Sequence, residues 1–182
     1  MTPEQDGVLT VAALMALAAR TAPKGKGMDS IEIKVISGND LGLLADAMKE
    51  AGTYHKLFFF QRDSKNVANS DACVLIGARG FEPVGINCRG CGHLSCSDMS
   101  DAFSRSEKAP FVFQGPNCSI KMADLGIAVG SAVKAASIHN VDNRVMYTAG
   151  IASLSLGWLG NCSVAYGIPL KASGKNIFFD RS

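Results

Sequence analysis

The stretch ACVLIG at residues 72–77 decides the fold class, because it is a continuous apolar run of the length of one strand. Such a run is typical of a strand buried on both faces in the middle of a sheet. Residues 31–36, IEIKVI, alternate apolar and charged side chains, which is the period of a half-buried strand. The sequence therefore predicts a sheet that contains at least these two strands.

Helical patterns surround the two strands. The alanine- and leucine-rich residues 8–20 predict a first helix that ends before Pro23. Residues 120–138 and 143–159 are apolar or small on nearly every face, which predicts two helices that are buried all round. The other predicted elements are a helix from a cap at Asn39 or Asp40 to about residue 50, a helical stretch at 54–69, a helix at 97–106, and strands at 111–113, 164–168 and 176–179. This mixture predicts an α/β (α+β) fold.

Two aspartates are interpreted as residues that begin helices. Asp124 is expected to be a cap or a first-turn partner of the helix dipole. Residues 142–144, DNR, are expected to start the last long helix with its cap. The alternative for Asp124 is that it serves as a catalytic base.

Composition limits the number of domains and the classes of partner. The chain has 182 residues, 47% of them apolar, and no repeat or linker, so we expect residues 1–182 to form a single domain around one core. Its formal charge of +2 is scattered, which argues against nucleic acid or an anionic membrane surface as a partner. The N-terminus lacks the basic region of a secretory signal, and residues 145–164 are too polar for a confident membrane span, so the expected location is the cytoplasm.

The two C-terminal helices also predict an oligomer. One chain of this length has few elements with which to cover two helices that are apolar on nearly every face. Gly126 and Gly130 lie four residues apart on the first of them and would let a neighbouring backbone approach closely. The sequence therefore predicts a homodimer with helices in the interface.

Four of the six cysteines form a pattern typical of metal binding. Cys88, Cys91 and Cys96 lie in NCRGCGHLSC at residues 87–96, and Cys118 follows after a loop. Thiols in a reducing compartment are more often metal ligands or reactive groups than disulfides. The remaining two, Cys73 and Cys162, stand alone in apolar runs and are expected in the core.

Four thiolates, three of them on one glycine-containing loop, suit a [4Fe-4S] cluster, which takes one thiolate for each iron. Gly90 and Gly92 would let backbone amides turn towards the sulfides, and Asn87 and Arg89 could add hydrogen bonds. Residues 86–118 are therefore predicted to be the cluster-binding segment. Three alternatives stay open: a structural zinc site, unligated thiols, and Cys162 instead of Cys118 as the fourth ligand. His93 is expected to be a hydrogen-bonding neighbour rather than a ligand.

Several stretches together resemble one known family. They are NCRGCG at residues 87–92, RDSKNV at 62–67, DLGIA at 124–128, VDNR at 141–144 and GKNIFFDR at 174–181. In these stretches the chain is similar to DUF2148, a family of uncharacterised proteins with a ferredoxin domain. The resemblance covers nearly the whole chain and implies a bound [4Fe-4S] cluster with the four cysteines of the motif as ligands. It implies no particular reaction.

A second resemblance is to the FMN-dependent nitroreductase superfamily. The stretch AARTAPK at residues 18–24, followed by the strand at 31–36, is similar to the end of an early helix in that superfamily. The resemblance implies a nitroreductase-like sheet with packed helices, into which the cysteine-rich loop is inserted, and it implies FMN. The serine and asparagine by which that family usually holds the flavin are replaced here by Lys24 and by GKG at residues 25–27, and the early arginine-rich pair is missing.

If FMN binds, its phosphate needs cations and backbone donors. The residues predicted to supply them, from the same or the other subunit, are Arg20, Lys24, Lys26, Lys175 and Arg181. The alternative is that the two early lysines form a solvated turn and that Arg181 is an ordinary surface residue. No dinucleotide or nucleoside-triphosphate motif is present, and Tyr147 and Tyr166 are as well explained by the core as by proton donation.

Three functional hypotheses follow. The first is an iron–sulfur redox protein whose cluster feeds an FMN that reduces a small organic acceptor. The second is a ferredoxin-like electron carrier or accessory subunit without flavin, which would work with a redox partner protein. The third is a zinc-stabilised interaction module.

Overall fold

The structure is a computed structural model, and it describes residues 2–179. Its elements, in chain order, are α1 (Pro3–Thr21), a single 3-10 turn (Gly25–Gly27), β1 (Ile31–Ser37), α2 (Asn39–His55), α3 (Phe59–Ala68), β2 (Ala72–Ala78), α4 (Cys96–Ser104), α5 (Ser119–Ile138), β3 (Asp142–Asn143), α6 (Tyr147–Ser155) and β4 (Val164–Lys171). The fold is therefore the predicted mixture of helices and sheet.

The sheet has four strands in the order β1-β2-β4-β3, and every neighbouring pair is antiparallel. All seven residues of β2 are buried, as the apolar run at its centre predicts. Ile76 of β2 lies opposite Ile33 of β1, and Val74 lies opposite Ile168 of β4. The predicted central strand is thus confirmed, and β1 is an outer strand with Ile31 buried in one layer and Ile36 in the other.

Helices cover both faces of the sheet. Alternate β2 residues point to opposite sides, so Val74 and Ile76 pack with the layer of α1 and α5, whereas Cys73 and Leu75 pack with the layer of α2 and α6. The α1 helix begins earlier than predicted because the Thr2 hydroxyl accepts a hydrogen bond from the amide of Gln5 and so caps it. The result is a three-layer arrangement with the sheet in the middle.

The helix predicted at residues 143–159 is wrong at both ends. Asp142 and Asn143 form β3, which pairs with Lys171 and Leu170 of β4, so they do not cap a helix. The α6 helix begins only at Tyr147 and ends at Ser155. Pairing with β4 at the sheet edge therefore outweighs the local preference of Asp142 and Asn143 for a helix start.

Three further local predictions also differ from the structure. The helical stretch at 54–69 is divided, because α2 continues to His55 and ends at Lys56, which takes the left-handed conformation with φ 58°. The α2 helix has Gly38 at its capping position, without a side-chain cap from Asn39 or Asp40. Residues 111–113 and 176–179 form turns and irregular backbone rather than strands.

The two long apolar helices differ in their burial. Residues 148–153 of α6 are all buried, as predicted. The α5 helix instead leaves one side open, with Ile127 44% exposed and no atom within 4 Å of a methyl group placed at Gly126 or Gly130. The prediction that α5 is buried all round is wrong for a single chain. None of the helices within residues 2–179 is long and apolar enough to span a membrane.

Candidate functional site

The cysteine segment, defined here as residues 79–118, connects the end of β2 to the start of α5. Its two ends are joined directly, because the amide of Cys118 donates a hydrogen bond to the carbonyl oxygen of Gly80 over 2.8 Å. Cys118 occupies the N-cap position of α5, and Cys96 is the first residue of α4. Two of the four predicted ligands therefore lie at helix N-termini, where unpaired amides and the helix dipole favour negative charge.

The four cysteines differ in exposure. Cys88 is exposed, Cys91 and Cys96 are half-buried, and Cys118 is buried. Cys91 packs with Cys118 in a small apolar cluster that also contains Val84 and Met99. Within residues 2–179, no three histidine, cysteine, aspartate or glutamate side chains are already grouped closely enough to hold a metal ion. The ligand set thus stays a prediction, with Cys91 and Cys118 in one cluster.

Two special backbone positions shape the cysteine loop. Asn87 and Arg89 both have positive φ, at 49° and 61°. The side-chain oxygen of Asn87 accepts a hydrogen bond from the amide of Cys96 over 2.8 Å, which ties the start of the loop to the start of α4. Asn87 therefore orients the loop through the backbone of a predicted ligand.

The two loop glycines have different roles. Gly92 has φ 85°, a conformation that residues with a side chain rarely adopt. Gly90 is required for space, because a methyl group there would overlap the hydroxyl of Ser119 and lie 3.2 Å from its Cβ. A larger residue at position 90 would therefore require the Ser119 side chain, or the loop itself, to shift.

The local environment favours the thiolate at Cys88. A hydrogen bond from the Gly90 amide, joined by one from the Ser119 hydroxyl, lowers the pKa of the Cys88 thiol below its usual value. The Cys88 sulfur lies 3.9 Å from the Ser119 oxygen. Because a metal binds the thiolate rather than the thiol, this environment suits a ligand.

The two remaining cysteines lie in the opposite kind of environment. Burial raises the pKa of both the Cys73 thiol and the Cys162 thiol to about 12. Cys73 is fully buried in β2, and Cys162 packs closely against Gly77 and Leu159. Both thiols are therefore protonated at neutral pH, and Cys162 is less suited than Cys118 to be the fourth ligand.

The predicted flavin cations near α1 each donate to oxygen atoms of the chain. Arg20 donates to the carboxylate of Asp29 and to the carbonyl of Ile31, both over 2.7 Å. Lys24 donates to the last carbonyls of α1, at Ala19 and Arg20. The ammonium of Lys26 lies 3.5 Å from the carbonyl oxygen of Val84 in the cysteine segment.

Of the other two predicted cations, the structure describes only Lys175. Lys175 is exposed in the stretch after β4, next to Asn176, whose amide donates to Asp142 of β3 over 2.8 Å. β3 and β1 are the two outer strands of the sheet, and Lys24 and Lys26 lie just before β1 in the sequence. Arg181 lies outside the described residues.

Sequence reasoning missed a buried ion pair in α5. Lys121 and Asp124 are 1% and 3% exposed, and the Lys121 nitrogen lies 3.9 Å from the Asp124 carboxylate. Lys121 donates to the carbonyl of Met28, and Asp124 accepts from the amide of Gly25 over 2.9 Å. Asp124 is therefore neither a cap nor a first-turn residue. The available signal was the spacing of two charges three residues apart in an otherwise apolar helix.

The buried pair and Lys26 connect two segments to α5. The turn at Gly25 lies so close that a methyl group there would be 2.6 Å from a methyl carbon of Ile120. The carboxylate of Asp124 accepts a hydrogen bond from the Gly25 amide of the same turn, and Lys26 contacts the carbonyl of Val84. The turn that precedes β1 is thus packed between α5 and the cysteine segment.

Comparisons with known proteins agree with this architecture. The chain is 44% identical over 179 residues to an uncharacterised protein of Archaeoglobus fulgidus, covering 98% of this chain and 94% of that protein. Among solved structures, the FMN-dependent nitroreductase NfnB from Mycobacterium smegmatis, in complex with NADPH, matches with a TM-score of 0.58 and 13% identity over 95% of this chain and 82% of that one.

Nitroreductase A from Vibrio parahaemolyticus matches 97% of this chain with a TM-score of 0.54 and 12% identity, but the chain spans only 60% of its length. These two matches show that the fold is nitroreductase-like. Residues 114–181 match the family model described as an uncharacterised protein containing a ferredoxin domain. By this match and by the close relative from Archaeoglobus fulgidus, the chain belongs to the DUF2148 family.

Proposed function

We propose that this protein is an iron–sulfur redox protein in which Cys88, Cys91, Cys96 and Cys118 hold a [4Fe-4S] cluster. The observation that supports it most is the shared apolar cluster of Cys91 and Cys118, residues that are distant in the sequence. The environment of Cys88 favours its thiolate, and its sulfur approaches Ser119, the residue next to Cys118. A donor set of four thiolates around two helix N-termini fits an anionic cluster.

A bound cluster would supply one-electron transfer. The chain's own residues would hold it and set its potential, through the amide of Gly90, the hydroxyl of Ser119 and the restraint that Asn87 places on Cys96. The half-buried Cys91 and the buried Cys118 would limit access of water to one side of the site. We place the protein in the cytoplasm, where thiols stay reduced.

A carrier without flavin is the version that the geometry supports best. FMN has less support, because Arg20, Lys24 and Lys26 each already donate to oxygen atoms of the chain, and its phosphate would be left with their remaining donors. The fold favours a second candidate, a flavin-linked oxidoreductase, since one protein of similar structure is an FMN-dependent nitroreductase. No step of the proposed function is assigned to flavin.

Purification without oxygen, followed by analysis of iron, sulfide, zinc and FMN in one sample, tests the proposal. We expect about four irons and four sulfides per chain, with a visible absorption of the cluster that fades on reduction with dithionite. About one FMN in addition would favour the flavin-linked candidate. Zinc without sulfide would overturn the redox proposal in favour of a structural metal site.

We also propose that two copies associate through the outer face of α1 and α5, defined here by Leu14, Leu17, Gly126, Ile127 and Gly130. Leu17 is 60% exposed and Ile127 44% exposed in the single chain. No atom lies within 4 Å of a methyl group placed at either glycine, which leaves room for a neighbouring helix. Apolar exposure beside open glycines suits an isologous helix interface.

Changing Ile127 to glutamate is expected to convert a dimer into a monomer. A charge placed in an apolar interface without a partner costs several kcal/mol, so the dissociation constant should rise at least about a hundredfold. Sedimentation velocity at micromolar concentration measures the change. Leu43→Glu, at an apolar residue of α2 that is 55% exposed, is the matched control and should stay dimeric. A wild-type monomer, or a dimeric Ile127→Glu protein, would contradict the proposal.

A further inference from the structure

A cavity of about 470 Å³ lies between α4, the irregular segment 107–114 and the turn at residues 160–163. Its size is within the range of small-molecule sites, about 300–1,000 Å³. None of the four predicted cluster ligands lines it. The proposed function therefore leaves this cavity without a role.

The lining of the cavity is mixed, with polar and apolar surface in similar amounts, and part of the apolar share is aromatic. Phe81 and Phe103 line it as a stacked pair, with ring centroids 4.7 Å apart and planes inclined by 23°. Phe113 adds a third ring, and Cys162 adds a sulfur that burial keeps protonated by raising the pKa of its thiol to about 12. Such walls favour a flat, uncharged ring system that can stack.

The rim of the cavity is polar but carries no net charge. Glu107 and Lys108 lie side by side on it with opposite charges, and Asn161 offers both a donor and an acceptor. The side chains of these three exposed residues have no hydrogen-bond or ion-pair partner in the part of the chain that the structure describes. Gln114 already gives its amide to Ser106 over 3.0 Å, which leaves its oxygen as an acceptor.

We propose that this cavity binds a neutral, planar heteroaromatic molecule of two or three fused rings, with hydrogen-bond donors and acceptors along one edge. The phenylalanines stack on its face, and the rim residues pair with its edge. A charged ligand is not favoured, because the adjacent Glu107 and Lys108 cancel. An aliphatic ligand would forgo the stacking that the aromatic wall provides.

The cavity lies close to the fourth predicted ligand. Phe81 follows Gly80, whose carbonyl accepts the amide hydrogen of Cys118. Ser163, another lining residue, donates to the side-chain oxygen of Asn117 over 2.6 Å, and Asn117 precedes Cys118. A bound ring would thus be next to the cysteine segment. Binding of the ring does not depend on the proposed function. Only electron transfer between the ring and the cluster would depend on it.

Isothermal titration of the purified protein with lumazine, a bicyclic ring with donors and acceptors on its edge, tests the proposal. Quinoxaline, a bicyclic ring of similar size without donors, is the matched ligand. We expect one lumazine per chain and an affinity about tenfold higher than for quinoxaline, which corresponds to one or two hydrogen bonds. The iron content of the same sample is measured separately, so a missing cluster cannot be mistaken for a missing site.

Two variants separate stacking from edge recognition. Phe103→Leu is expected to weaken both ligands about fivefold to tenfold, whereas Phe59→Leu, on the exposed side of α3 outside the cavity, should change neither. Asn161→Ala is expected to weaken lumazine about fivefold and quinoxaline, which can only accept, by less. Because Asn161 is exposed, that variant decides the matter even if Phe103→Leu fails to fold. The absence of saturable binding, or unchanged affinities in both cavity variants, would overturn the proposal.

Discussion

Replacing Cys118 by serine is expected to lower the iron of anaerobically purified protein from about four atoms per chain to less than about one, with loss of the cluster absorption. Cys118 is only 5% exposed and is fixed between Cys91, Val84 and Met99, so water cannot easily take the place of its sulfur. A serine oxygen is a shorter and harder donor than a thiolate and binds iron of a cluster less well. Iron and sulfide analysis of the variant, with its visible spectrum, measures the loss.

The same substitution should leave the fold intact. Serine is among the residues preferred at a helix N-cap, and residue 118 is the N-cap of α5. Unchanged far-ultraviolet circular dichroism would then assign the loss of iron to the ligand and not to unfolding. Cys162→Ser is the control, because its buried and protonated thiol should not bind iron. Full iron content in Cys118→Ser, together with loss of iron in Cys162→Ser, would show that Cys162 and not Cys118 is the fourth ligand.

The central part of the fold was predictable because its signals are local. A continuous apolar run gives β2, alternation gives β1, and a long run of small and apolar residues gives α5. Each of these elements needs only its own side chains to be recognised. The structure then adds the order of the strands, β1-β2-β4-β3, which no local pattern contains.

The predictions that were wrong depend on contacts between distant residues. Asp142 and Asn143 look like a helix start, but pairing with Lys171 and Leu170 draws them into the sheet. Phe113 and Phe178 lie in short apolar stretches that resemble strands, yet they pack against the core from irregular backbone. Composition indicates that these residues are buried, and it does not indicate which backbone conformation buries them.

The candidate site likewise has features that were predictable from the sequence and features that only the structure shows. The cysteine motif is local and can be read from the sequence, and the structure adds that Cys91 and Cys118 share one apolar cluster. The pairing of Arg20 with Asp29 and the contact of Lys121 with Met28 are tertiary. Sequence reasoning assigned Arg20 to the FMN phosphate and missed the contact of Lys121. The spacing of residues in the sequence therefore predicts which side chains could bind a cofactor. Whether a cation is also engaged by oxygen atoms of the protein can be seen only in the structure.

Changing Gly150 to alanine is expected to destabilise the protein by about 3 kcal/mol or more, at the upper end of the cost of overpacking a core. A methyl group at this residue of α6 would overlap the carbonyl of Ala165 and lie 2.8 Å from the amide nitrogen of Tyr166. Both atoms belong to the backbone of β4, which is paired with β2 and cannot move aside without breaking the sheet. Urea denaturation followed by circular dichroism measures the loss as a lower midpoint.

Gly42→Ala is the matched control because it makes the same chemical change in a helix. No atom lies within 4 Å of a methyl group placed at Gly42 of α2, so only the helix propensity changes, and we expect a gain of up to about 1 kcal/mol. Opposite signs for one substitution would show that close contact between α6 and β4 determines the cost at Gly150. A loss below about 1 kcal/mol at Gly150 would instead mean that α6 can move away from the sheet, and the three-layer packing would have to be less tight than described.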